Sequence, residues 1–430
     1  MRPQEPHGSK DGNPMIKTLK FLAGQSRRRP PASSAMWVLA QQAAVRGMVA
    51  VKFLVVGRLL GPEALGVAGV ALLAVAIAEA LSDTGLPQAV IQGQRAPALA
   101  ELGAIWSALA CRGALVALLL LALAPLLEAQ FHLPGALPLL QLAAALPLLR
   151  GVASPAYYVV TRERDFSRVA ALEIAAALAD CTLSVVCALA GAGAYSVVIG
   201  LLGAEALKTA LTWATIRPRP PLRLRWAGIG HYLGFSRWIW AASVINLLLN
   251  QFDKVMVGKL LGPAQLGAYQ MSSKLAQMLL ADAGIAMSQY LFPTFAARHR
   301  QQDGSAPRLL RRLLGLAALA LVLAVVALNL AAEPLFLLLL GSTWIEAVPL
   351  FRVFTLNMAI GALIALLVAY LRAIGEPRVT THASLVQAGV LLACVAPATH
   401  WWGAIGIAWS MTVGLASAMA WMLARVFRGK

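Results

Sequence analysis

A decapeptide, GRLLGPEALG at Gly57 to Gly66, returns as GKLLGPAQLG at Gly258 to Gly267, and each copy stands between long apolar runs. Seven of the ten positions are identical and Arg58 is answered by Lys259. A chain that repeats a short polar turn between apolar runs folds most simply as two copies of one module, each copy opening on a helical hairpin. Gly61-Pro62 and Gly262-Pro263 supply the turn residues, because glycine accepts backbone angles other residues avoid and proline can start a helix but not continue one.

Composition identifies the solvent of the module. Hydrophobic residues make up 60% of the chain and charged residues only 13%, and mean hydropathy is +0.73. Soluble domains carry about 45–50% apolar and about 25% charged residues, so this chain belongs in a bilayer. Runs of the ~20 residues that a spanning helix needs fall near 36–57, 67–90, 102–126, 136–159, 169–190, 194–216, 237–257, 267–292, 310–331, 346–371, 379–398 and 403–425. The expected fold is all-α and polytopic: about 12 transmembrane helices in two pseudo-symmetric six-helix lobes around a central cavity. The lobes would be residues 36–216 and 237–430, joined by a cytoplasmic linker at 217–236. Pro218, Pro220 and Pro221 end the sixth helix there, and an interfacial stretch is expected from Leu222 to Phe235.

A net charge of +18 raises nucleic acid as a partner, but the distribution of the charge points to topology. Even-numbered turns hold Arg95, then Arg162, Arg164 and Arg168, then Arg217 to Arg225, then Arg298 to Arg312, then Arg372 and Arg378, whereas odd-numbered turns hold Arg58, Lys259 and little else. This is a positive-inside pattern with both termini in the cytoplasm. Residues 1–35 are polar, carry the run Arg27 to Arg29 and have no apolar segment of the secretory kind. They read as a flexible cytoplasmic tail lying against anionic head groups. Cys111, Cys181, Cys187 and Cys394 sit in apolar runs with no CxxC and no nearby His, and read as small packed side chains. No cofactor and no metal is expected.

Charges within the spans cost ~2.5–3.5 kcal/mol each on the insertion scale and so face a wet interior or a partner. Arg46, Lys52, Arg112, Arg150, Lys254 and Lys274, with Asn250, are the candidate substrate-binding residues. Asn246, Asn250, Asp253 and Lys254 form one stripe on helix 7, and Gln270, Lys274, Gln277 and Asp282 form another on helix 8. The carboxylates Glu79, Asp83, Glu173, Asp180, Asp253 and Asp282 are candidates to carry a coupling ion. The alternatives stay open. These acids could pair with cavity Arg or Lys, Lys208 could pair with Glu205 three residues away, Asp253 and Lys254 could each pair with neighbours, and Lys52, Lys254 and Arg352 could snorkel.

Four phrases carry a resemblance: VGRLLGPEALGVAGVALLAVAIAEALSDTGLPQAVIQ (Val56 to Gln92), FDKVMVGKLLGPAQLGAYQMSSKLAQMLLADAGIAMSQYLFPTFA (Phe252 to Ala297), TRERDFSRVA (Thr161 to Ala170) and LLLLGSTWIEAVPLFRVF (Leu337 to Phe354). From about Ser34 onward the chain resembles bacterial polysaccharide exporters, the O-antigen and colanic-acid type lipid-linked oligosaccharide flippases. The resemblance implies the multidrug/oligosaccharidyl-lipid/polysaccharide exporter fold, alternating access and a place in the bacterial inner membrane. It further implies a lipid-linked oligosaccharide substrate, with membrane lipids, a polysaccharide polymerase and export machinery as partners. In this reading the basic side chains hold the substrate diphosphate, which Arg binds in bidentate fashion. A cation-coupled drug antiporter of the same fold is the alternative. A membrane polymerase or ligase is less favoured, because the outer turns at Gly191 to Ala194 and Pro397 to Ala404 are too small to carry a catalytic site, and His400 beside Trp401 and Trp402 reads as an interfacial anchor.

Overall fold

The computed structural model describes residues 31–93, 95–221, 230–301 and 304–428. The N-terminal tail as far as residue 30 and most of the expected interfacial stretch after Leu222 lie outside these, as do the side chains of Asn246 and Asp282.

Seven helical stretches among the described residues are long and apolar enough to cross a membrane, or eight when Leu137–Val152 and Ala156–Arg162, bent by 61°, count as one. Two of the seven are too long for one crossing. Gln41–Leu81 has 41 residues and Pro377–Phe427 has 51, which at 1.5 Å per residue is about twice the ~30 Å hydrocarbon core. Each is divided by a glycine with positive φ: Gly61 (φ 73°, ψ 178°) and Gly403 (φ 57°, ψ −135°). Gly230–Ala276 is divided in the same way at Gly262 (φ 83°, ψ 176°). Helix restarts at once at Pro62 and Pro263, where the missing N–H has no intrahelical bond to lose.

Counted with these divisions, the described residues make twelve long helices. They are α1 (31–60), α2 (62–81), α3 (Leu99–Gln130), the broken α4 (137–162), α5 (Phe166–Leu189), α6 (Tyr195–Thr215), α7 (230–261), α8 (263–300), α9 (Ser305–Leu330), α10 (Val348–Ala373), α11 (377–402) and α12 (404–428). Helices suit a membrane because every backbone group finds its partner within the segment.

Three features depart from the expected helices. The second helix stops at Leu81 and not near residue 90, because Asp83 Oδ1 accepts the Gly85 N–H at 3.0 Å and Gly85 takes φ 63°, after which Leu86–Gln92 forms a separate short helix. The fourth breaks at 153–155, where Pro155 interrupts the helical ladder. Its freed Val152 carbonyl accepts two indole N–H groups, from Trp106 at 3.2 Å and Trp213 at 2.9 Å. In α8 a π-helical turn, Gln277–Ala281, follows Lys274.

The two lobes meet most closely at the end that carries Gly61, Gly262 and Gly403. One apolar core there includes Val56 and Leu65 from α1–α2, Val257, Leu266 and Tyr269 from α7–α8, Phe351 and Phe354 from α10 and Ile407 from α12. A Cβ on Gly66 would lie 1.7 Å from the Pro263 carbonyl oxygen, and one on Gly267 would lie 1.9 Å from that of Pro62. The contact is reciprocal, so the repeats pack backbone against backbone about a local pseudo-dyad. Trp344, fully buried, donates its indole N–H to the Gly57 carbonyl at 3.0 Å, and Arg58 reaches the Leu338 carbonyl at 2.7 Å. Toward the opposite end each lobe has separate cores, around Leu102, Ile105 and Ile216 in the first and around Phe295, Leu310 and Leu371 in the second.

Candidate functional site

Between these ends lies a cavity of about 650 Å³, walled by α2, α3, α4 and α6 of the first lobe and by α7 of the second. Helical spacing builds the wall. Glu79 stands on α2 and Asp83 just beyond its end; Glu205, Lys208, Thr209 and Thr212 make a stripe at i, i+3, i+4 and i+7 on α6; Ser243, Leu247 and Asn250 follow at i, i+4 and i+7 on α7. Two glycines bring α3 and α4 close together. A Cβ on Gly113 would lie 2.4 Å from the Pro147 carbonyl oxygen, and one on Gly151 would lie 2.6 Å from that of Leu109. Arg112 and Arg150, each preceding one of these glycines, therefore reach the same hollow.

Most of the cavity charges are held in ion pairs. Arg150 bridges two acids, donating from Nη1 to Glu79 at 2.6 Å and from Nε to Glu205 at 2.7 Å. Lys208 meets Glu173 at 2.6 Å, while its Nζ lies 5.1 Å from the centre of the Tyr157 ring. The Tyr157 hydroxyl donates to the same Glu173 at 2.7 Å. Arg112 donates to Ser82 Oγ at 3.1 Å and to the Glu79 backbone carbonyl at 2.7 Å. Asp83 Oδ2 accepts the Ser243 hydroxyl at 2.8 Å, and one turn away the Trp240 indole donates to the Leu81 carbonyl at 2.8 Å. Both of these bonds link the lobes.

Of the expected substrate-binding residues, Arg112, Arg150 and Asn250 lie on this wall. Arg46 is exposed on α1, and Lys52, Lys254 and Lys274 stand off the wall. Lys52 is buried in an ion pair with Asp180 at 2.6 Å that ties α1 to α5. Lys254 donates to its own helix, to the Asn250 carbonyl at 2.8 Å and to Gln251 at 3.0 Å. Lys274 lies 3.3 Å from Gln277 Oε1 and 5.8 Å from the centre of the Phe53 ring.

Among the expected ion carriers, Glu79 and Asp83 are on the wall, and Glu173 lies behind Lys208. Asp180 is paired with Lys52. Asp253 is buried inside the second lobe, where one oxygen accepts the Tyr269 hydroxyl at 2.9 Å and the other has no partner among the described residues. One expected pairing differs in the structure: Lys208 bonds Glu173 and not Glu205, which Arg150 holds. Asp253 and Lys254 each bond neighbours, Asp253 to Tyr269 and Lys254 to Asn250 and Gln251. The wall also contains Tyr157, Lys208, Glu205 and Ser243, which sequence reasoning did not select. The signal for the α6 pair was present as a polar stripe within an apolar run.

Two six-helix lobes enclosing a polar cavity define a multi-pass membrane protein with the multidrug/oligosaccharidyl-lipid/polysaccharide exporter fold. Lipid II flippase MurJ in its inward closed conformation superposes with a TM-score of 0.71 at 13% identity, over 92% of this chain and 87% of that one. The chain belongs to the polysaccharide biosynthesis protein family, whose profile matches residues 55–349. It is 25% identical over 273 residues to the lipopolysaccharide biosynthesis protein WzxC of Escherichia coli K12, covering 63% of this chain and 55% of that protein's length. It is 24% identical over 362 residues to the succinoglycan biosynthesis transport protein ExoT of Rhizobium meliloti, covering 84% of this chain and 72% of the relative.

Proposed function

We propose that the protein is a flippase that carries a polyprenyl-diphosphate-linked oligosaccharide from the cytoplasmic to the outer leaflet of the bacterial inner membrane, where a polysaccharide polymerase and export machinery use it for surface polysaccharide. The observation that carries this reading is the charged, hydrogen-bonding cavity between the lobes of a chain in the polysaccharide biosynthesis family. Hydrocarbon rejects sugars and phosphates because their polar groups lose water without replacement. A polar hollow supplies that replacement for the sugars while the polyprenyl tail remains in lipid. The closed Gly66–Gly267 seam, with separate lobe cores toward the other end, supports an alternating-access cycle in which this structure is the inward-directed state. The basic even-numbered turns support cytoplasmic termini and, with them, a glycine seam on the outer side. The work assigned to the protein is movement and not bond-making, so the wall residues are given binding roles and no catalytic ones.

Deletion of the gene is expected to abolish surface polysaccharide and to leave lipid-linked oligosaccharide in the inner leaflet. In vesicles, the purified protein is expected to move a polyprenyl-diphosphate-linked sugar to the leaflet where an added glycosidase can reach it. Normal surface polysaccharide in the deletion strain would refute the proposal. Vesicles that extrude cationic drugs but never move the lipid-linked sugar would favour the antiporter instead.

A further inference from the structure

On the flippase reading, we infer that the α2–α3–α4–α6–α7 cavity receives the saccharide part of the substrate and selects sugars without negative charge, leaving the diphosphate outside this wall. The inference starts from the charge balance. Among the described residues the wall carries three cations, Arg112, Arg150 and Lys208, and three carboxylates, Glu79, Asp83 and Glu205. A fourth carboxylate, Glu173, stands 2.6 Å behind Lys208. The described wall residues therefore have no surplus of positive charge to offer an anion.

The geometry sharpens this conclusion. Arg150 already spends two N–H groups on two glutamates. A phosphate or uronate that took their place would break two charge-assisted bonds and sit beside two carboxylates, which repel it. Arg112 is turned to Ser82 and to a backbone carbonyl, and Asp83, a carboxylate with no cation in ion-pair contact among the described residues, shares the wall with it.

Neutral hydroxyls meet no such conflict. A carboxylate has about four lone-pair sites, so Glu79 and Glu205 can each hold Arg150 and still accept a hydroxyl proton. Thr209, Thr212, Asn250 and Gln251 line the same hollow with further groups of both polarities. Such a wall recognises a sugar by many moderate hydrogen bonds and rejects an acidic sugar by repulsion, a difference in affinity produced by an unfavourable contact.

The test uses purified full-length protein in vesicles and two probes with the same polyprenyl diphosphate, one bearing a neutral hexose and the other the corresponding hexuronic acid. The neutral probe is expected to cross about tenfold faster. Glu205→Gln, which removes one negative charge and leaves Arg150 with Glu79, is expected to narrow the ratio to within about threefold. Equal rates in the unaltered protein, or a faster uronic probe, would overturn the inference while leaving the flippase reading intact. A ratio that Glu205→Gln leaves unchanged in folded, membrane-inserted protein would also overturn it, since discrimination would then arise elsewhere. Movement of neither probe would remove the flippase reading, and this inference with it.

Discussion

Lys52 and Asp180 meet at 2.6 Å with side chains only 7% and 13% exposed, and Ser184 Oγ adds a contact to Asp180 at 3.3 Å. Removing one member of a buried pair strands the other charge, at a cost of about 3–5 kcal/mol, whereas replacing both with apolar groups of similar size is often neutral. Lys52→Met is therefore expected to lower thermal stability in detergent sharply, and Lys52→Met with Asp180→Leu to recover most of it. A stable single variant, or no recovery in the double one, would contradict the structural role. Tyr269 stands in a comparable relation to Asp253. Tyr269→Phe deletes the hydroxyl donor to a buried acid whose other oxygen is already without a partner among the described residues, and should cost about 1.5–3 kcal/mol, read as a lower melting temperature. The sequence identified these residues as charged or polar within apolar helices, which is why Arg112, Arg150, Glu79, Asp83 and Asn250 were selected and do line the cavity. It held no information on rotation about each helix axis relative to distant helices. For that reason Lys52 could not be told from Arg150, and the link from Lys208 to Glu173, 35 positions away in sequence, was not legible beside the adjacent Glu205.

Each division of a long helix rests on a glycine in a region that favours glycine, and two of these three sit inside the repeated decapeptide, which makes the hairpins the most legible elements of the chain. The break after Leu81 was less legible because its signal, Asp83-Thr84-Gly85 before Leu86-Pro87, is short and embedded in apolar sequence. Gly66 and Gly267 belong to the same repeat but have a different reason to be glycine, the approach of the other lobe's backbone. Alanine at either position would place a methyl group within 2 Å of a carbonyl oxygen, which a closed seam cannot hold. Gly66→Ala and Gly267→Ala are expected to open that end. The sensor is Val56→Cys in a cysteine-free background, a position 1% exposed in the structure. Its reaction with an impermeant maleimide should rise at least severalfold in either alanine variant. Unaltered protection would mean that the reciprocal contact does not keep this end shut.

For the whole molecule, orientation follows from the side on which basic loops are retained. Ala190→Cys, in the turn after α5, and Gln301→Cys, after α8, are both exposed positions on opposite sides in the expected topology. Intact spheroplasts should label the first and not the second, and the reverse result would invert the protein in the membrane. The arrangement of charge on the cavity wall has an electrical consequence. A field of 100 mV does ~2.3 kcal/mol of work on each unit charge carried fully across it, so a carrier with unbalanced mobile charge would speed up or stall as the cell energises its membrane. Here two of the three wall cations, Arg150 and Lys208, travel beside carboxylates that rock with them, and the described wall charges nearly cancel, so the empty protein should return at a rate only weakly dependent on voltage. An inside-negative potential would then act mainly on the passenger, drawing an anionic diphosphate outward while the machinery itself answers little to the field.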